Sequence, residues 1–147
     1  MGDINWKDRC WVTTIFLVKD EKVLLTWNKN LQTWIPVGGH IEPGESPEEA
    51  ITREVKEEVG CEFSFYPDHK YKGDVKILNP SKVQIDNVPH HNKHINLVFF
   101  GKISEWKNAE KTDEDELLKW FSKEDLIKEK MLESVKESAL EALKNVR

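Results

Sequence analysis

The chain has 147 residues, of which 33% are charged, and its formal net charge is −5. This length suits one compact domain, so we expect a single domain over residues 1–147. The acidic balance disfavours a general electrostatic attraction to long nucleic acid. No apolar run approaches the roughly 20 residues that span a bilayer. The start MGDINWKDRC lacks the apolar core of a signal peptide, and we expect a cytoplasmic protein with no membrane partner.

The beginning of the chain predicts a sheet. Two runs rich in β-branched and aromatic residues, CWVTTIFLV and KVLLTW, are separated by the polar KDE, which favours two strands joined by a tight turn. The next segment, NKNLQTWIPV, predicts a loop and a short strand. Cys10 and Cys61 stand far apart without metal-ligand spacing, and we expect both to be unpaired thiols without chemistry.

The stretch SPEEAITREVKEEVG predicts a helix from Pro47 to Val59. Ser46 suits the N-cap, proline is tolerated at the first helical position, and Glu49 completes a capping box. Gly60 supplies the left-handed residue that commonly ends a helix. At 100° per residue, three apolar side chains form a stripe along one side of the helix: Ile51, Val55 and Val59. We expect this stripe to face the core.

Three glutamates of this helix, Glu54, Glu57 and Glu58, fall within about a 100° arc beside the apolar stripe. Like charges three and four residues apart destabilise a helix by a few tenths of a kcal/mol per pair. Partly sheltered carboxylates also raise one another's pKa unless a cation joins them. A hard divalent ion, Mg²⁺ or Mn²⁺, is the cation that carboxylate oxygens prefer.

The loop before the helix contains a glycine pair and a turn. Gly38 and Gly39 permit close approach of a carbonyl or a ligand, and PG at residues 43–44 marks the turn. Glu45 ends the loop eight residues before Arg53. We expect these two side chains to form an ion pair that attaches the loop to the helix and positions the acids.

Further strands and helices are predicted after Cys61. EFSFYPDHKY alternates like a strand, and HINLVFFGKI is the strongest buried-strand candidate, whereas residues 73–93 between them give no clear prediction. ELLKWFS predicts a last strand.

Ser122 suits the N-cap of a short helix, and helical spacing of apolar residues continues to the end of the chain. We expect one face of this region to pack on the core: Leu132, Val135, Ala139 and Leu143.

The spacing of residues 39–61 resembles the signature of the Nudix hydrolases. That signature is a glycine, five residues, a glutamate, seven residues, then arginine, glutamate, an aliphatic residue, any residue, two glutamates, any residue, glycine and an aliphatic residue. The chain matches it at Gly39, Glu45, Arg53, Glu54, Val55, Glu57, Glu58 and Gly60. Cys61 departs from it, but a small buried hydrophobe should change little there.

The resemblance implies an α/β (α+β) fold, with a mixed sheet in an α/β/α sandwich, and hydrolysis of a nucleoside diphosphate linked to another group with Mg²⁺ or Mn²⁺. By resemblance the metal ligands are Glu54, Glu57, Glu58 and the Gly38 carbonyl. Glu114 or Glu116, from the acidic segment EKTDEDELLKW, is a candidate ligand of a second metal. Glu45 and Arg53 would orient the acids. The general base stays open between Glu54, Glu57 and a glutamate of that acidic segment.

Substrate contacts are less constrained by the sequence. Trp34 is a candidate aromatic platform for a base, with Trp27 and Phe100 as alternatives, although such tryptophans are more often part of a core. Gly39 is a candidate for close approach to the substrate. His94, which begins the strongest strand, is favoured over His90 and His91 as a phosphate contact.

The leading substrate is a nucleoside triphosphate cleaved to monophosphate and pyrophosphate, as in MutT-like members. Nucleotide sugars, ADP-ribose and dinucleoside polyphosphates stay open. A catalytically silent nucleotide-binding domain is the non-enzyme alternative, although the acids of the signature are all present. A homodimer is possible because many relatives are dimers.

Overall fold

The computed structural model describes residues 10–87, 93–104 and 117–147. The described strands are β1 (Cys10–Lys19), β2 (Lys22–Asn28), β3 (Thr33–Ile35), β4 (Val37–His40), β5 (Ser64–Phe65), β6 (Lys70–Lys72), β7 (Val75–Ile77), β8 (Lys82–Asp86), β9 (His94–Lys102) and β10 (Leu118–Phe121). The described helices are α1 (Pro47–Glu58), α2 (Lys123–Lys128) and α3 (Glu133–Asn145).

The described strands form one mixed eight-stranded sheet and a separate β6-β7 hairpin. The path through the large sheet is β10-β2-β1-β9-β5, while β3, β4 and β8 pair with β2, β1 and β9 respectively. The long central strands β1 and β9 run parallel, and the other pairs in this sheet are antiparallel. The parallel pair places the starts of β1 and β9, and therefore Cys10 and His94, side by side.

The predicted hairpin at the start of the sheet is confirmed. β1 and β2 pair in antiparallel register up to Lys19 and Lys22, and Asp20 and Glu21 form the turn with φ of 49° and 61°. Positive φ at both central residues matches the right-handed twist of the flanking strands.

Helix α1 is confirmed with its predicted signals. The Ser46 side chain accepts a hydrogen bond from the backbone N–H of Glu49, whose side chain in turn accepts from the backbone N–H of Ser46. The helix ends at Glu58, one residue before the predicted end, because Val59 is the C-cap. Gly60 follows with φ of 74°.

Alternating side chains of the strands build a separate apolar core on each face of the sheet. On one face, residues such as Ile15, Leu24 and Phe99 pack against the predicted stripe of α1, which consists of Ile51, Val55 and Val59. On the other face, residues such as Phe16, Val98 and Phe121 pack against α2 and α3. The sheet therefore lies between helices, and the predicted α/β/α sandwich is confirmed.

One prediction downstream of α1 needs correction. EFSFYPDHKY is not a continuous strand, since Ser64–Phe65 pairs with β9 and Lys70–Lys72 pairs with β7. Pro67 lies between these pieces and has no N–H to donate to a ladder. The segment without a clear prediction contains β7 and β8.

The C-terminal region forms two helices, and the predicted packing face is only partly correct. Val135 and Ala139 are buried, and Leu143 packs against the same core. Leu132 is exposed because it is the N-cap of α3 and lies in the break between the helices. Within that break Met131 packs against the core instead.

Across the described parts of the chain, no helix has both the length and the apolar character needed to cross a bilayer.

Replacement of Ile51 by alanine tests the α1 core. Ile51 is fully buried, so Ile51→Ala should lower the free energy of unfolding by about 2–5 kcal/mol through lost burial and a residual cavity. Urea denaturation followed by circular dichroism measures the change. Ile127→Ala is the matched control, because Ile127 is also helical but 60% exposed, and it should change the free energy by about 0.5 kcal/mol or less. Equal losses in the two variants would contradict the assigned packing.

Candidate active site

The glycine pair lets α1 lie close against β4 and β1. Gly38 has φ of 154°, and a Cβ there would overlap the carbonyl oxygen of Thr13 on the neighbouring strand. A Cβ on Gly39 would overlap the carboxylate of Glu54. These two positions therefore exclude larger residues, and the carboxylate of Glu54 lies directly on the strand backbone.

Arg53 connects the loop, the strand and the acids of the helix. Its Nε and Nη2 donate to the two carboxylate oxygens of Glu45 at 2.8 and 3.0 Å, which is a bidentate pair. Nη2 also donates to the carbonyl oxygen of His40 at 3.1 Å. Nη1 donates to Glu54 Oε1 at 3.0 Å and to Glu57 Oε2 at 3.4 Å. The predicted pairing of Glu45 with Arg53 is thus confirmed.

The electrostatics of the Glu45–Arg53 pair follow from this geometry. The hydrogen bond from Arg53 and a backbone N–H of Glu42 hold the pKa of Glu45 below its ordinary value of 4.5. The hydrogen bond to Glu45 raises the pKa of Arg53 above its ordinary value, and Glu54 adds to that rise against the opposing effect of burial. Both groups therefore stay charged at neutral pH.

The three helix acids differ in their exposure to solvent. Glu58 is buried with 5% exposure, whereas the side chains of Glu54 and Glu57 are 13% and 47% exposed. The carboxylates therefore extend from the core to the surface along one side of α1. Together with the Gly38 carbonyl they offer only oxygen donors, a set that fits a hard divalent cation.

The carboxylates of Glu54, Glu57 and Glu58 do not converge on one point in this structure. Within residues 10–87, 93–104 and 117–147, the only three His, Cys, Asp or Glu donors that lie within 4.8 Å of one another belong to Cys10, His40 and His94. Arg53 Nη1 instead lies between Glu54 and Glu57. To join a shared cation, Glu57 would have to turn away from Arg53, and its side chain is 47% exposed. The metal-ligand assignments of Gly38, Glu54, Glu57 and Glu58 stay predictions.

Some predicted residues fall outside the described parts of the chain. Glu114 and Glu116 lie in residues 105–116, and His90 and His91 lie in residues 88–92. Their suggested roles in metal or phosphate binding stay predictions.

The two remaining substrate candidates lie in different surroundings. Trp34 packs edge to face against Trp27 and Phe121, with centroid distances of 5.3 and 5.2 Å, on the side of the sheet covered by α3. These contacts give it a packing role, and base binding by Trp34 stays a prediction. His94 is the first residue of β9, and the centroid of its ring lies 5.3 Å from that of the His40 ring.

Sequence reasoning missed a group of side chains whose ligand atoms lie close enough together to hold a metal ion: Cys10, His40 and His94. They come from β1, β4 and β9, and no short-range spacing marks them, because strand pairing alone brings them together.

A row of polar side chains was also missed. Thr14 Oγ1 donates to Asn96 Oδ1 at 3.1 Å, Asn96 Nδ2 donates to Asp86 at 2.8 Å, and Gln84 donates to Asp86 at 2.7 Å. In the sequence, the only indication of this row is that its residues alternate with others along β1, β8 and β9.

A third missed feature attaches the β6-β7 hairpin to α1. Lys76 Nζ lies 2.6 Å from Glu48 Oε2, and His69 Nε2 lies 3.5 Å from the same oxygen. Burial lowers the pKa of His69, although Glu48 opposes that shift. The contact orients the hairpin beside the beginning of the helix.

Comparison with known proteins identifies the family to which the chain belongs. The model of the NUDIX domain matches residues 9–143, which is nearly the whole chain. The chain therefore belongs to the NUDIX family, whose hydrolases generally use a divalent metal.

Several relatives accompany this match. A hydrolase of the NUDIX family from Clostridium perfringens has a crystal structure that superposes with a TM-score of 0.83 at 31% identity, covering 95% of this chain and 99% of that one. Two Bacillus subtilis (strain 168) proteins match shorter regions. One, a putative 8-oxo-dGTP diphosphatase, is 44% identical over 46 residues, which is 31% of each protein. The other, putative 8-oxo-dGTP diphosphatase YtkD, is 42% identical over 67 residues, 46% of this chain and 40% of YtkD. The matched regions thus span less than half of either curated relative.

Replacement of Glu45 tests the pair with Arg53. Because the pKa of Glu45 is lowered by folding, its stabilising effect is present above pH 4.5 and is lost as the pH falls through the folded-state pKa. Glu45→Gln should therefore lower the melting temperature at about pH 7, and its difference from wild type should shrink on acidification below about pH 4. Thermal unfolding followed by circular dichroism across this range measures both effects.

Glu42→Gln is the control for the Glu45 variant. Glu42 is 62% exposed and lies 3.9 Å from Arg53, so its replacement should change the melting temperature little. A Glu45→Gln deficit that persisted undiminished in acid would contradict the ion pair as its cause.

Proposed function

We propose that this chain is a divalent-metal-dependent pyrophosphohydrolase of nucleoside diphosphate derivatives, and that its substrate is a nucleoside triphosphate. Water attacks phosphorus, the anhydride bond to the leaving group breaks, and the products are a nucleoside monophosphate and pyrophosphate. The observation that carries the proposal is the bidentate Glu45–Arg53 pair, whose guanidinium also holds Glu54 and Glu57 beside the glycine pair.

The charge of the substrate supports the need for a cation. A triphosphate is strongly anionic, and the candidate site is lined by carboxylates on a chain of net charge −5. We assign Glu54, Glu57, Glu58 and the Gly38 carbonyl to hold Mg²⁺ or Mn²⁺, with Glu114 as a further ligand. When bound, the ion neutralises phosphoryl charge and lowers the pKa of a coordinated water.

The protein groups have separate tasks in this proposal. Arg53 and Glu45 are positioning residues, since they hold the loop against the helix and direct the acids. The carboxylate of Glu54 lies directly against Gly39, in space that the side chain of a larger residue would occupy. Glu54 or Glu57 accepts the proton of the attacking water, and Glu57 has the greater solvent exposure of the two.

The choice of a triphosphate follows from two considerations. The family match covers residues 9–143, and a triphosphate offers one nucleoside and a phosphate chain to this one domain. The two Bacillus subtilis relatives are named as putative 8-oxo-dGTP diphosphatases, and that name identifies a purine deoxynucleoside triphosphate as the first substrate to test. We propose a cytoplasmic location because nucleoside triphosphates are found there.

A substrate panel tests the reaction and its specificity. 8-Oxo-dGTP, dGTP, a nucleotide sugar, ADP-ribose and a dinucleoside tetraphosphate should be incubated with and without Mg²⁺, and products separated by ion-exchange chromatography. A triphosphate should give monophosphate and pyrophosphate only with metal. Binding of a nucleotide without turnover of any compound would instead support a silent binding domain.

Neutral replacements of the helix acids test the metal site. Glu57→Gln or Glu58→Gln should reduce kcat by about 100-fold or more, because each removes a charged metal ligand, and 100-fold corresponds to about 2.7 kcal/mol of transition-state stabilisation. Steady-state kinetics and Mg²⁺ titration measure the loss. Glu62→Gln is the matched control, since Glu62 is an exposed glutamate beyond the end of the helix, and it should retain wild-type turnover. Wild-type turnover in both helix variants would refute the assigned site.

Gly39→Ala tests the close approach of strand and helix. The added methyl group would displace the carboxylate of Glu54, so kcat should fall by about 10-fold or more, the equivalent of about 1.4 kcal/mol. Gly73→Ala is the control: nothing lies within 4 Å of its added Cβ, and its φ of 62° should give only a local stability cost. Unchanged kcat in Gly39→Ala would show that the position of Glu54 against β4 is not needed for turnover.

A further inference from the structure

Two histidines and a cysteine converge where β1, β4 and β9 lie side by side. Cys10 is the register partner of His94 on the parallel strand β9. His40 ends β4 and is the register partner of Val12, two residues along β1 from Cys10. A ligand atom of each residue lies within 4.8 Å of those of the other two.

The backbone of this group is held by regular pairing and by an ion-pair network. β1 and β9 pair without interruption from Cys10 and His94 to Val18 and Lys102. The carbonyl oxygen of His40 accepts from Arg53 Nη2 at 3.1 Å, and the N–H of Ile41 donates to Trp11 at 2.8 Å. Ligands on paired strands are pre-positioned, so little chain entropy is lost when a metal joins them.

We infer that Cys10, His40 and His94 form a site for a borderline transition-metal ion, Zn²⁺ in the first place. Thiolate sulfur and imidazole nitrogen are both ligands that Zn²⁺ takes in proteins, and a site with three protein ligands leaves the fourth position to water or another ligand. Metal–sulfur and metal–nitrogen bonds of about 2.3 and 2.1 Å put tetrahedral ligands roughly 3.4–3.7 Å apart. The ligand atoms of the three residues already lie within 4.8 Å of one another, so the site requires each pair to approach by about 1 Å, and His40 is exposed to solvent.

The site differs from the carboxylate site in chemistry and in place. By strand alternation, Cys10 and His94 lie on the same face of the sheet as Phe16 and Val98, which belong to the core covered by α3. Helix α1 covers the opposite face. Mg²⁺ prefers oxygen ligands and competes poorly for thiolate and imidazole, so the two ions should occupy separate sites. Binding of Zn²⁺ would displace the thiol proton to solvent.

Cobalt(II) is the probe that identifies the ligands, because a cobalt–thiolate bond gives an intense near-ultraviolet charge-transfer band that oxygen ligands do not give. The full chain, kept reduced, should be titrated with Co²⁺ in excess Mg²⁺, which occupies the carboxylates. We expect this band to saturate at about one equivalent of Co²⁺ and to be abolished by Zn²⁺. Saturating Zn²⁺ should also raise the melting temperature by several degrees, because the ion binds the folded chain.

Four variants distinguish this site from its alternatives. Cys10→Ser should remove the band, and His40→Gln should weaken Co²⁺ binding at least about tenfold while the fold stays intact, since His40 is exposed. Cys61→Ser is the matched cysteine control and should keep the band. The Glu57→Gln variant should also keep it, which separates this test from that of the hydrolase site.

Three results would overturn the inference. The first is absence of the band in the wild-type chain. The second is a band that survives Cys10→Ser or is lost with Cys61→Ser, and the third is Co²⁺ binding that excess Mg²⁺ displaces. Circular dichroism of each variant confirms folding, and His40→Gln keeps the test decisive if Cys10→Ser fails to fold.

Discussion

The bidentate pair between Glu45 and Arg53 is the contact on which the geometry of the candidate site depends. It joins the end of a loop to the middle of a helix, and the same guanidinium reaches the His40 carbonyl and two further carboxylates. Its side chains are 24% and 19% exposed, so solvent screens the pair in part and its contribution to global stability is modest. Its effect is geometric, because the planar, five-donor guanidinium fixes the directions of several acceptors at once.

The position of Arg53 depends in turn on apolar packing and on backbone conformation. The buried stripe of α1 sets the rotation of the helix about its axis, and the capping box at Ser46 sets where the helix begins. The glycine pair sets how closely the helix approaches β4. Because these three constraints act along different directions, few positions of the helix satisfy them all, and the acids are placed as a consequence.

The sequence predicted best those features that depend on residues close together along the chain. The start of α1, its cap, its buried stripe and the Glu45–Arg53 pair are encoded within residues 38–61, and the structure confirms each, while the helix ends one residue earlier than predicted. The first hairpin is similarly local. Prediction was weaker downstream, where Pro67 divides an alternating segment and where a helical pattern continues through the break before α3.

Features that depend on strand pairing could not be predicted in the same way. Cys10 and His94 are adjacent only because β1 and β9 run parallel over their whole length, and residues so far apart carry no mutual spacing signal. The same holds for the hydrogen bonds from Thr14 through Asn96 to Asp86. A scan for metal-ligand spacing therefore finds helix-based carboxylates and overlooks ligands supplied by separate strands.

The two proposed cation sites can share one small fold because ligand softness separates the ions. The oxygen donors of α1 suit Mg²⁺ or Mn²⁺, whereas Zn²⁺ favours a thiolate and imidazoles, which here come from the starts of β1 and β9 and the end of β4. His40 links them, since its side chain belongs to the second set and its carbonyl accepts from the arginine that positions the first. Zinc bound to the side chain would restrain the His40 backbone. It would thereby restrain Arg53, and occupation of the strand site would reach the helix acids through a single peptide group.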